Sequence, residues 1–259
     1  MTTAPLVTCV CPTFNRPPAS QWLVEEAVQS FLGQDYPHRE LVIINDCPGQ
    51  VLRLDHPRVA VVNVGRRFRT LGEKLNAAIG LGRGALIAPW DDDDISLPWR
   101  LSRSVQNLGQ ADYYNPSRYW FIDQAGLHGD HAMGLAHGCS IFTRRAFDLV
   151  GGYPHNSGKQ DLQLDQQLRA DPRVAVASPP ELGRPDWYYV YRWGVSPVHL
   201  SGRMPHEPWY DEIGRRPVTA GVFDLRPHWR DDYVRRVRQA AAEYPAPAAA
   251  RAAAITEEG

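Results

Sequence analysis

The sequence predicts an α/β protein: a Rossmann-like, mostly parallel sheet with helices on both faces, followed by an α+β half. Three observations carry this. Short apolar runs alternate with helical periodicity through the first hundred residues. Four consecutive aspartates, Asp91 to Asp94, directly follow the apolar run Ala85-Leu86-Ile87-Ala88-Pro89-Trp90. Beyond Pro98 the pattern changes to shorter, aromatic-rich segments.

Leu6 to Cys11 reads as the first strand, ending at Pro12. Trp22 to Leu32 is a helix with Ser20 as its cap and Gly33 as its stop. Leu41 to Asn45 and Arg58 to Val64 are the second and third strands. Thr70 to Leu81 is a helix opened by a Thr70–Glu73 capping box, with an apolar stripe at Leu71, Leu75, Ala78 and Ile79. Ala85 to Trp90 is the fourth strand. Pro98 stands in the first turn of a helix carrying Leu101, Val105 and Leu108. Tyr113 to Ile122, broken near Pro116, and Ser140 to Thr143 look like strands. Arg145 to Leu149 is a helix stopped by Gly151-Gly152, and Asp161 to Arg169 is another. Val174 to Ala177 and Tyr188 to Trp193 read as strands, and from about Gln239 the chain is Ala-rich and Pro-punctuated.

Parallel strands bring Pro12–Pro18, Asp46–Gln50 and Asp91–Asp94 to one sheet edge, where open α/β sheets bind ligands. Two carboxylates about 4 Å apart repel by roughly 4 kcal/mol at an effective dielectric near 20. Four in a row therefore call for a cation, and hard divalent ions bridge carboxylates to substrate phosphates. A solvated acidic surface is the alternative, with Asp94 helping to start the next helix.

With 259 residues, 43% of them hydrophobic, the chain supports a substantial core. Net charge is −1 and the pI about 6.8, so no global field draws it to nucleic acid or anionic lipid. No basic stretch precedes an apolar one at the start, and no segment approaches eighteen apolar residues. The expectation is a cytoplasmic protein without signal peptide or transmembrane segment. Cys9, Cys11, Cys47 and Cys139 are too few for a disulfide scaffold and read as reduced, structural thiols.

Several motifs are set aside. Gly80-Leu81-Gly82-Arg83-Gly84 follows a helix and precedes a strand, the reverse of a phosphate loop, and reads as a helix end. His128, His131 and His137 lack a Cys or spaced carboxylate to complete a zinc set. Gly-x-Ser-x-Gly is absent.

Pro12-Thr13-Phe14-Asn15-Arg16, Leu41-Val42-Ile43-Ile44-Asn45-Asp46, Gly72-Glu73-Lys74-Leu75-Asn76, Gly82-Arg83-Gly84-Ala85-Leu86-Ile87 and Asp91-Asp92-Asp93 follow in order. Together they resemble family 2 glycosyltransferases with the GT-A fold, tightly over residues 6–108 and more loosely to about 200. The resemblance implies one domain over 1–235, with a nucleotide-binding half at 1–97 and an acceptor-binding half at 98–235. Residues 236–259 would be an Ala-rich helix or tail.

The resemblance further implies a nucleotide-sugar donor, an acceptor of unknown identity and a divalent cation, Mn²⁺ or Mg²⁺; a homodimer is left open. Pro12, Thr13, Asn15 and Arg16 would line the nucleotide pocket, and Asp46 would accept from the base (uracil N3–H for uridine). Asp91 would lie near the ribose or the metal, Asp92 near the ribose or sugar, and Asp93 would ligate the metal, with His199 as a late metal or diphosphate partner. Asn76 belongs to the matching helix motif. The family's usual arginine is missing there, so Lys74, Arg66 or Arg69 would supply its charge. Asp161 would be the general base of an inverting transfer, with Asp165 as its alternate, and Arg192 would serve the phosphates. Gly138-Cys139-Ser140 would line the acceptor side, and Trp120, Tyr153 and Trp193 are candidates for stacking on sugar or for the core. The competing readings are a nucleotidyltransferase and a non-catalytic nucleotide-sugar-binding module. The former needs a Gly-rich basic loop that Pro12–Pro18 lacks.

Overall fold

The computed structural model describes residues 4–116, 118–129, 136–178, 182–192 and 209–243. Its first half runs β1 (Val7–Thr13), α1 (Gln21–Leu32), β2 (Arg39–Asn45), β3 (Gln50–Arg53), β4 (Val59–Asn63), α2 (Leu71–Leu81), β5 (Leu86–Pro89), β6 (Ile95–Ser96) and α3 (Arg100–Leu108). The second half continues with β7 (Tyr113–Tyr114), β8 (Trp120–Asp123), β9 (Gly126–His128), β10 (Ile141–Thr143) and α4 (Arg144–Leu149). Then follow α5 (Gln160–Ala170), β11 (Tyr189–Arg192), α6 (Trp209–Gly214), β12 (Gly221–Asp224) and α7 (Tyr233–Glu243).

The main sheet has the order β4-β2-β1-β5-β10-β7. Its first four strands are parallel, β10 runs antiparallel to them, and β7 pairs antiparallel with β10. Alternation along β1 and β2 sends Cys9, Cys11, Leu41 and Ile43 to the face covered by Val24, Val28 and Phe31 of α1. Val10, Val42 and Ile44 point the other way, against Leu75 and Ile79 of α2 and Leu164 of α5. Burial on both faces explains why these strands read as unbroken apolar runs rather than alternating ones. The expected mostly parallel sheet with helices on both faces is what the chain forms.

A second sheet, β6-β11-β8-β9, brings Tyr189 and Arg192 beside the loop that follows β5. A third pairs β12 with β3 in parallel, tying residues 221–224 to residues 50–53.

Some expectations need correction. Tyr113–Ile122 is two strands in two different sheets, since Tyr113–Tyr114 pairs with β10 and Trp120–Asp123 with β11. Val174–Ala177 contributes a lone bridge between Val176 and Tyr113. β3, β6, β9, α6 and β12 were not anticipated. They are short, and their partners are set by tertiary contact rather than local pattern. Helix α7 starts before residue 236 and buries Tyr233 and Val237 in the core. The Thr70 hydroxyl accepts from the Glu73 amide as expected, but Glu73 reaches back to the Arg69 amide. Among the described residues, no helix is long and apolar enough to cross a membrane.

Candidate active site

The loops after β1 and β5 meet in one cleft of about 380 Å³, closed by α2, by residues 157–161 at the start of α5, and by α6. Trp90 anchors the end of β5: its indole N–H donates to the Ala27 carbonyl at 2.8 Å and its ring meets Phe31 edge-on. Buried Arg100 adds a brace, donating to the carbonyls of Pro89 and Gly138 at 2.5 Å each. The four aspartates thus leave a fixed strand end.

Each acid has a distinct setting. Asp92 is paired with Arg16, whose Nε donates to Oδ2 at 2.7 Å while Nη2 reaches Oδ1. The same guanidinium donates to Asp93 Oδ2 at 3.2 Å. Burial opposes the charge on Arg16, but the two carboxylates more than offset it and raise its pKa. Asp91 and Asp94 share the Tyr189 hydroxyl, at 2.7 Å and 2.6 Å, and Asp94 also accepts the Arg192 amide at 2.7 Å. One phenol carries one proton, so both contacts close only when one acid is protonated. Burial, with Asp94 and Asp93 nearby, pushes Asp91 up to about 7 and makes it that acid. Asp94 caps no helix; it belongs to this cluster.

At the nucleotide end, Lys74 lines the cleft as a buried strut. Its ammonium donates to Asp46 Oδ1 and to the Thr13 carbonyl, each at 2.6 Å. Burial lowers its pKa, and Asp46 opposes that shift. Asp46 Oδ2 accepts the Phe68 amide at 3.0 Å, so both of its oxygens are engaged. Asn15 has left-handed backbone (φ 52°), a region that asparagine tolerates better than most side chains. Its amide donates to the Pro217 carbonyl at 3.0 Å.

Arg67 stands out at this end, although nothing local singles it out within Arg66-Arg67-Phe68-Arg69. Its guanidinium lies 4.0 Å from the ring centres of both Phe14 and Tyr210 and donates to the Tyr210 carbonyl at 2.6 Å. It thereby docks α6 onto the cleft. Arg69, by contrast, is largely exposed and pairs with Glu73. Asn76 faces the interior, clamping the backbone of Tyr153 through 2.8 and 2.9 Å bonds.

On the other wall, Asp161 lines the cleft from the first turn of α5, accepting the Leu162 amide at 2.8 Å. Gln160 lines it too, with its Oε1 buried and unpartnered among the described residues. Asp165 is fully buried, salt-bridged to Arg169 at 2.9 Å, and does not line the cleft. Gly138 packs so closely that a Cβ there would lie 2.2 Å from the Tyr189 oxygen and 2.9 Å from Asp91 Oδ2.

Arg192 is not presented to a phosphate; it is buried against Glu26 at 2.6 Å. Trp120 and Tyr153 are core residues, Tyr153 bonding His137 at 2.6 Å. Among the earlier histidines, His128 pairs with Asp123. His131, Trp193 and His199 lie outside the described residues.

Among the described residues, no three His, Cys, Asp or Glu side chains form a ready metal cage. A Mg²⁺-type ion that takes one or two carboxylates and fills its shell with substrate phosphates needs less. Asp91 and Asp93 fit that demand. Both line the cleft, both offer hard oxygen donors, and the strain on a charged Asp91 is the kind a cation relieves.

The sequence model of the family described as Glycosyl transferase family 2 matches residues 8–150. The chain is similar to the succinoglycan biosynthesis protein ExoO of Rhizobium meliloti, 34% identical over 112 residues, covering 41% of this chain and 31% of that protein. It spans about a quarter to a third of the length of the curated relatives it matches. Among solved structures it resembles S. aureus TarS 1-349 in complex with UDP-GlcNAc (TM-score 0.57, 15% identity, 80% of this chain, 64% of that one). It also resembles the mannosyltransferase PcManGT of Pyrobaculum calidifontis in complex with GDP-Man and Mn²⁺ (TM-score 0.51, 21% identity, 76% and 59%). These structural likenesses speak to the fold.

Proposed function

The chain belongs to glycosyl transferase family 2, and from that membership we propose that it moves a sugar from a nucleotide diphosphate to an acceptor hydroxyl with inversion. The supporting observation is the convergence of Asp91, Asp93 and Asp161 on one cleft at the strand ends.

In this reading Asp161 is the general base, taking the acceptor hydroxyl proton as the oxygen attacks the anomeric carbon and the bond to the diphosphate breaks. Asp165, enclosed and paired with Arg169, is left without access to that proton. A divalent cation held by Asp91 and Asp93, Mn²⁺ or Mg²⁺, would supply neutralisation of the charge that develops on the departing diphosphate. Arg16 neutralises part of the charge on Asp92 and Asp93 and so limits repulsion within the loop. Asp92 is the ribose or sugar contact, once its pairing with Arg16 loosens.

Uridine is the favoured base, read by Asp46 after it exchanges the Phe68 amide for the base N–H. Pro12 and Thr13 line the same end, and Asn15 lies in the loop beside them, outside the cleft lining. Four free, buried cysteines favour a reducing, cytoplasmic setting.

The test is a pair of variants assayed for nucleotide-sugar turnover and for nucleotide binding with Mn²⁺. Asp93→Ala and Asp161→Ala should each lower turnover by orders of magnitude, and the former alone should weaken Mn²⁺-dependent nucleotide binding. Wild-type rates in either variant would remove the role assigned to it.

A further inference from the structure

Beside the acid loop, the second half of the chain forms a buried ion pair with α1. Arg192 on β11 places Nη1 2.6 Å from Oε2 of Glu26 on α1, and the two side chains are 2% and 0% exposed. The Nε of the same guanidinium donates to the main-chain carbonyl of Asp93, and the Arg192 amide donates to Asp94. Glu26 is itself held by the C-terminal segment. Its Oε1 accepts the Arg230 amide at 3.0 Å, and the Tyr233 hydroxyl lies 3.4 Å from Oε2. Trp22 stacks beneath Arg192 at 5.5 Å and Arg230 at 4.4 Å.

A buried ion pair adds little stability over apolar packing, because desolvation offsets the attraction. This pair does something an apolar pair could not: its cation grips a main-chain oxygen of the acid loop. Holding the Asp93 carbonyl, while the Arg192 amide holds the Asp94 carboxylate, restrains the peptide between Asp93 and Asp94 from which both acids project.

We propose that Glu26 is a positioning residue which, acting through Arg192, holds the Asp93 peptide so that Asp91 and Asp93 present their oxygens to one divalent cation. Glu26 lies outside the cleft lining, and its charge keeps the guanidinium turned to the Asp93 carbonyl. Without that charge, Arg192 is a buried, unpaired cation beside a cluster of carboxylates. It turns toward them and competes with the metal. The inference rests on the metal reading above and extends it to residues 192, 230 and 233, beyond the span matched by the family.

Glu26→Gln keeps the shape and removes the charge. Mn²⁺ binding is followed by the EPR signal of the free ion, with and without UDP, beside the melting temperature and hydrogen exchange of amides 91–94. The expected result is Mn²⁺ affinity in the presence of UDP weakened about tenfold or more, as for residues that orient metal ligands. The loop amides should exchange faster while those of β1 do not change. The double variant Glu26→Gln with Arg192→Gln leaves no unpaired charge, so it should regain the melting temperature. It should keep the weak Mn²⁺ affinity, since the shorter amide cannot hold the Asp93 carbonyl. Recovery of both properties, or unchanged Mn²⁺ affinity in Glu26→Gln, overturns the proposal. Should Glu26→Gln not fold, the double variant decides in the same way. A wild type that binds no Mn²⁺ sinks the metal reading alone. Loop exchange then judges the clamp: faster exchange upholds it, and unchanged exchange overturns it.

Discussion

The Tyr189 hydroxyl holds two acids at once, 2.7 Å from Asp91 Oδ2 and 2.6 Å from Asp94 Oδ2. Those acids stand at either end of the quartet, so one phenol on β11 sets the shape of the loop that leaves β5.

Tyr189→Phe should therefore leave the fold intact and damage the site. A buried acceptor stripped of its donor loses about 1–3 kcal/mol, and here that loss falls on the acids in the cleft. Turnover should drop roughly tenfold to a hundredfold by the same conversion, with secondary structure unchanged by circular dichroism. Wild-type turnover would show that the bridge has no bearing on the reaction.

Gly138→Ala should act on the same bridge from the opposite side. The added Cβ would meet the Tyr189 oxygen at 2.2 Å, and Arg100 pins the Gly138 carbonyl at 2.5 Å, so the loop cannot easily retreat. Both melting temperature and turnover should fall. A fully active variant would mean that Tyr189 moves at no cost.

The elements legible from sequence were those whose signals are local. The apolar runs of β1, β2 and β5, the Thr70 cap and the order of loops around Asp91–Asp94 needed no distant partner. What escaped was long-range. Arg67 meets Tyr210 across 143 positions and Arg192 meets Glu26 across 166, and nothing in either neighbourhood signals the other. Lys74 looked like a free cation for the nucleotide because its burial against Asp46 and Thr13 is a tertiary fact. β3 and β12 are short pieces that pair with each other across about 170 positions, which no local pattern announces.

His137 gives the fold an acid sensitivity. Burial, the larger effect, pushes its pKa down to about 4 despite the opposing charge of Asp161. A base whose folded pKa lies below its unfolded value of about 6.5 binds its proton more readily when unfolded. Its stabilising contribution is thus complete above pH 6.5 and is lost as pH falls toward 4. Between pH 6.5 and 5 the loss should be on the order of 1–2 kcal/mol, read by urea titration at several pH values. His137→Gln should flatten that slope; an unchanged slope would assign the acid sensitivity elsewhere.

The most direct measurement is a crystal structure with Mn²⁺ and UDP, located by the anomalous signal of the metal. The account predicts one Mn²⁺ coordinated by Asp91 and Asp93 and by oxygens of the diphosphate, with Asp161 facing the side from which an acceptor enters. Nucleotide bound with the acids still closed on Arg16 and Tyr189, and no metal between them, would contradict it.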